Sequence, residues 1–130
     1  MKFMAVHNER VVADTLTVIL KQHGYDCTPA YYGDEAVTIA RQIHPQLILI
    51  DVVMPRMKGT EAAMLILDEQ PECKVIFLAT TTGADALCQD VKQRGYDVEI
   101  MVGLPKPQDL LKKLSDLGFN PPITPPPRSG

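Results

Sequence analysis

The sequence has no CxxC pair, and its three cysteines, Cys27, Cys73 and Cys88, are scattered along 130 residues. That spacing excludes a zinc knuckle or a dithiol redox motif and reads as small core hydrophobes in a reducing compartment. No apolar run approaches membrane-spanning length. The opening stretch MKFMAVHNER has only four apolar residues after its lysine, too few for a signal peptide. Positive charge is not in excess. A formal net charge of −3 argues against direct nucleic-acid binding, and no lysine-rich amphipathic stretch suggests a membrane surface. No strand-to-helix loop carries a glycine-rich phosphate cradle, so a flavin- or nucleotide-binding domain lacks support and no organic cofactor is expected. These absences leave a cytoplasmic domain with ordinary proportions: 45% apolar and 22% charged residues, enough chain for a single core.

What is present alternates. Short apolar runs at Lys2–Val6, Leu47–Ile50, Lys74–Ala79 and Val98–Val102 read as strands, with a weaker one at Asp26–Ala30. Pro29 has no N–H for a ladder, so the Asp26–Ala30 strand belongs at a sheet edge. LILI is apolar at every position, the pattern of a central strand covered on both faces. Between the strands, apolar residues recur at helical spacing. The faces are Val12, Leu16, Ile19 and Leu20; then Ala36, Val37, Ala40 and Ile43; then Ala63, Ile66 and Leu67; then Leu87 and Val91; then Leu110, Leu111, Leu114 and Leu117. Gly24, Pro45, Gly95 and Gly118 supply stops, and Asp34 is placed to cap the second helix. Five strands alternating with five helices predict an α/β domain with a parallel sheet and right-handed crossovers. After Gly118 the stretch FNPPITPPPRSG holds five prolines and reads as an extended, disordered tail or linker. The predicted domain is therefore 1–118, with the tail at 119–130.

The covered third strand runs directly into Asp51. In open parallel sheets, function gathers beyond the carboxyl ends of the strands. A carboxylate there can act as a nucleophile toward a phosphoryl group, ligate a metal, or simply cap a turn. Met54, Met57 and Met64 nearby read as packing residues.

The stretch DVVMPRMKG, from Asp51 to Gly59, resembles the receiver domains of two-component response regulators at each fixed position of D-x-x-M-P-x-M-x-G. Gly24–Val37 and the Lys106-Pro107 pair resemble the same family, and the likeness extends from about Lys2 to Leu117. It implies a flavodoxin-like three-layer fold with strand order 2-1-3-4-5. It further implies a phosphoryl group accepted at Asp51 from a sensor histidine kinase or a phosphotransfer protein. Lys106 would pair with the carboxylate and then the phosphate, ahead of a peptide bond to Pro107 that is typically cis. Asp51, the Val53 carbonyl and Asn8 would hold Mg²⁺. Such a domain is not an enzyme beyond its own phosphotransfer and dephosphorylation. It would pass its signal to an output partner or effector, or to a homodimer, through the face of the fourth helix, fifth strand and fifth helix.

Three departures bear on this reading. His7 and Asn8 stand where the family carries an acidic pair, removing up to two negative charges from the Mg²⁺ site. Ala79 stands where the family has Ser or Thr, so any hydroxyl must come from Thr80 beside it, or from Thr81 or Thr82. Gly103-Leu104-Pro105 reads as an insertion ahead of Lys106, and it sets how far that lysine can reach. The alternative function is therefore a phosphorylation-independent pseudo-receiver acting as a protein–protein interaction module.

Overall fold

A computed structural model describes residues 1–79, 86 and 88–120. The chain runs β1 (Lys2–Val6), α1 (Arg10–Gln22), β2 (Asp26–Ala30), α2 (Gly33–Ile43), β3 (Leu47–Asp51), α3 (Gly59–Glu69), β4 (Lys74–Ala79), α4 (Gln89–Gln93), β5 (Val98–Val102) and α5 (Pro107–Asp116). All strand pairs are parallel and their order is β2-β1-β3-β4-β5. Pro29 lies on the β2 edge opposite Ala5, where a missing N–H breaks no ladder.

The uninterrupted LILI run has a direct reason. Leu47 and Leu49 face one cluster, with Leu16 and Leu20 of α1 and Leu110 and Leu114 of α5. Ile48 and Ile50 face the other, with α2, α3 and Val91 of α4. Each β3 side chain is thus covered whichever way it points. A strand buried on both sides carries its terminal residue to one fixed place, the carboxyl edge of the sheet.

Local readings needed adjustment in three places. The buried stripe of α1 is Ala13, Leu16, Thr17 and Leu20, and Val12 and Ile19 are only half covered at its margin. Asp34 does not cap α2. Tyr32 occupies the N-cap, Glu35 accepts the Tyr31 backbone N–H at 2.6 Å, and Asp34 pairs with Arg56 at 2.8 Å. Packing also runs one residue past the boundary expected at Gly118. Left-handed Gly118 turns the chain so that Phe119 meets Phe3 edge-on at 5.5 Å and its carbonyl accepts the Tyr25 hydroxyl. Residues 121–130, the proline-rich stretch, lie outside the described residues.

Candidate functional site

Asp51 closes β3 with 7% of its surface exposed. The turn behind it is built around Gly59. Its N–H donates to the Val52 carbonyl at 3.0 Å, and a Cβ there would stand 1.8 Å from the Asp51 carbonyl oxygen. Only glycine permits that approach, so the last residue of the motif fixes how the backbone leaves the carboxylate. Arg56, in the same loop, adopts φ 70°, uncommon for a non-glycine residue. It is held there by the Asp34 carboxylate and by stacking on Tyr32 at 4.1 Å.

β1 lies beside β3, and its continuation delivers His7, 4% exposed, against Asp51. His7 Nε2 stands 3.6 Å from Asp51 Oδ2. The other ring nitrogen, Nδ1, accepts the Glu9 backbone N–H at 3.1 Å. With Nδ1 accepting, Nε2 is the ring edge that faces the carboxylate. Burial pushes the Asp51 carboxyl above its ordinary value. His7 and the backbone N–H groups of Val53 and Val52 pull it down, and Glu9 pushes it up.

The residues do not fit a hard divalent ion. Mg²⁺ requires oxygen ligands in a near-octahedral shell. Here an imidazole edge faces Asp51 where the resemblance implies acidic side chains, and Asn8 is exposed. Among the described residues no group of three or more His, Cys, Asp or Glu side chains could hold a metal. At the site expected from Asp51, the Val53 carbonyl and Asn8, an imidazole stands in place of a carboxylate and supplies neither the charge nor the hard oxygen.

Lys106 does not join Asp51. It is exposed, forms the N-cap of α5, and has no carboxylate within 4.0 Å among the described residues; the side chain that faces Asp51 is His7. The cause lies in the preceding segment. Gly103, at φ +75°, donates to the Ala79 carbonyl at 2.7 Å and turns the chain away. Leu104, Pro105 and Pro107 then line a groove against α1. Among the described residues no peptide bond is cis, so Lys106–Pro107 is trans, with Lys106 extended and Pro107 opening the helix. Ala79 ends β4 without a hydroxyl, and Thr80, Thr81 and Thr82 lie outside the described residues.

Sequence reasoning brought His7 to the basin but missed its ring orientation, which depends on a backbone N–H that no side-chain pattern reveals. It also missed two stacks at the rim, Arg10 over Tyr31 and Arg56 over Tyr32, both at 4.1 Å. The tandem tyrosines before α2 were the available signal.

A family model described as the response regulator receiver domain matches residues 3–115. The chain is 26% identical over 113 residues to the DNA-binding response regulator MtrA of Mycobacterium tuberculosis, an alignment covering 87% of this chain and 48% of MtrA. It thus spans about half the length of the MtrA relatives it matches. Among solved structures, Vibrio cholerae chemotaxis protein CheY4 superposes with a TM-score of 0.78 at 26% identity, covering 88% of this chain and 96% of that one. A CheY-like receiver domain from Methanospirillum hungatei gives a TM-score of 0.81 at 22% identity, covering 89% and 91%, a likeness of fold alone.

Proposed function

Because the chain belongs to the response regulator receiver domain family, whose members work with histidine kinases and output effectors, we propose that it is a receiver acting as a phosphorylation-independent interaction module. The observation that carries this reading is the His7–Asp51 contact. An imidazole whose Nδ1 accepts the Glu9 N–H turns its Nε2 edge to the carboxylate across 3.6 Å, where the family carries an acidic side chain. The exposed Lys106 and the missing hydroxyl at Ala79 support it, since phosphoryl transfer relies on cations and donors placed around the developing charge. The fold and its docking surfaces persist without that chemistry. The face of α4, β5 and α5 is the proposed contact for an output partner or a second copy, in the cytoplasm. No helix among the described residues is long and apolar enough to cross a membrane. A net charge of −3 gives the domain no basic excess for nucleic acid, which supports a protein partner.

A second reading keeps Asp51 as phospho-acceptor for a sensor histidine kinase or phosphotransfer protein. It is favoured by the Gly59 turn, which leaves the Asp51 carboxylate at the carboxyl edge of β3. One experiment separates the two. The protein is incubated with acetyl phosphate, or with beryllofluoride, with and without Mg²⁺, and followed by intact mass and amide spectra. The module reading expects no change in the wild type. It expects a Mg²⁺-dependent response in the double variant His7→Asp with Asn8→Asp, whose two added carboxylates restore oxygen ligands and charge. A Mg²⁺-dependent mass increase on Asp51 of the wild type would replace the first reading by the second.

A further inference from the structure

The margin of α1 that escaped the core does not simply face water. Val11, Thr15 and Ile19 recur at one-turn spacing along it, and Leu104, Pro105 and Pro107 from the β5–α5 connection stand across from them. Together they bound a groove of about 360 Å³. Val11 is 77% exposed and Leu104 57% exposed, two large apolar side chains on opposite walls. Thr15 contributes the only polar side chain of the lining. An occupant must therefore bring few hydrogen-bond donors, because the groove cannot satisfy them.

We propose that Pro121–Pro127 of this same chain occupies the groove as an intramolecular strap. Three observations converge on that segment. The first is its chemistry. The run PPITPPP contains five prolines among seven residues and no charge, so only Ile123 and Thr124 carry backbone N–H groups. A polyproline helix presents apolar ring faces and gives up little further freedom when it docks. The second is where the segment starts. Phe119 is seated on Phe3, and its carbonyl accepts the hydroxyl of Tyr25, whose own N–H donates to Leu20 at the last turn of α1. Phe119 also packs against the cluster that holds Leu16 and Leu20 of α1 and Leu110 and Leu114 of α5, so the chain leaves the fold on the face those two helices share. The third is reach. Seven residues extend about 22 Å as polyproline, whereas Ile19 to Val11 is a rise of about 12 Å along a helix.

The test uses the full chain, followed by nitrogen-15 relaxation of the Ile123 and Thr124 amides at low concentration. Docking gives these amides order parameters above about 0.6. Val11→Asp should lower them to flexible values and shift the Leu104 methyl signals. Val11 lies in the first, solvent-facing turn of α1, where an acidic residue suits the helix, so the variant keeps its fold. Flexible amides in the wild type would overturn the strap, as would order that survives Val11→Asp. Order that grows with protein concentration alongside slower tumbling would assign the groove to a second copy, and would overturn it equally. None of these outcomes depends on whether Asp51 is phosphorylated.

Discussion

The two halves of the carboxyl edge differ in how they are built. On the β1–β3 side every position is spoken for. Asp51 is covered, His7 faces it, Glu9 fixes the imidazole, and Gly59 admits the Asp51 carbonyl where no side chain fits. On the β4–β5 side, Ala79 offers a methyl group, and the chain after Val102 turns toward α1, leaving Lys106 in solvent. A receiver pocket is completed by contributions from both sides. Here one side is closed by protein, and among the described residues the other is not brought in. The first half depends on neighbouring strands in fixed register, the second on the path of a connecting segment.

The sharpest way to break the closed half is at Gly59. With a Cβ 1.8 Å from backbone, Gly59→Ala must displace either α3 or the end of β3, and neither end of that contact is a flexible side chain. Overpacking typically costs about 1–3 kcal/mol, and a clash with rigid backbone belongs at the upper end, about 3 kcal/mol, to be read from the urea midpoint. A loss below about 0.5 kcal/mol, the usual scatter of neutral surface changes, would mean the turn is looser than its geometry. Next in size is His7→Ala, which removes the ring facing a covered carboxylate. Leaving such a group without its partner costs about 1–3 kcal/mol. The same variant should make Mg²⁺ no more stabilising than before, since deleting an imidazole adds no oxygen ligand.

Asp51→Asn should act in the opposite direction. The folded state holds the Asp51 proton to higher pH than the unfolded chain does. Stability attributable to this residue therefore falls as pH rises from the ordinary carboxyl value of 3.8 through the raised folded value, and the deficit is complete above it. The asparagine variant escapes that deficit. At pH 7 it should be more stable than the wild type by on the order of 1 kcal/mol, and the difference should vanish on acidification below the unfolded value. A gap that widens in acid would mean that His7 and the backbone donors outweigh burial.

The same contrast explains what the sequence could disclose. The alternation of strands and helices, the edge position of Pro29 and the two-sided burial of Leu47–Ile50 follow from local pattern, because each depends on residues within one element or its immediate neighbour. The placement of Asp51 at the sheet edge follows from the same cause. The role of Asp34 was misread because an Asp two residues before Ala36 has the spacing of a cap. An arginine twenty-two positions away claims it instead, a tertiary pairing that no local rule anticipates. Lys106 posed the same problem over a shorter distance. Its identity and its proline neighbour were legible, but its reach depended on Gly103–Pro105, and a left-handed glycine followed by two groove-lining residues carried it elsewhere.

The smallest effect tests the open half most directly. Lys106→Ala removes an exposed side chain with no ion pair among the described residues, so stability should change by less than about 0.5 kcal/mol. The informative quantity is the titration of Asp51, followed by carbon-13 shifts of its carboxyl. A lysine paired with that carboxylate would hold its pKa down, and deleting the lysine would raise it. An unpaired Lys106 predicts superimposable curves for wild type and variant. His7→Ala supplies the positive control, because His7 is the largest lowering influence on Asp51 and its removal should move the curve to higher pH. An upward shift in the Lys106 variant would show that the β5–α5 connection swings back over the basin in solution. The two halves would then be conformations of one pocket rather than a closed side and an absent one.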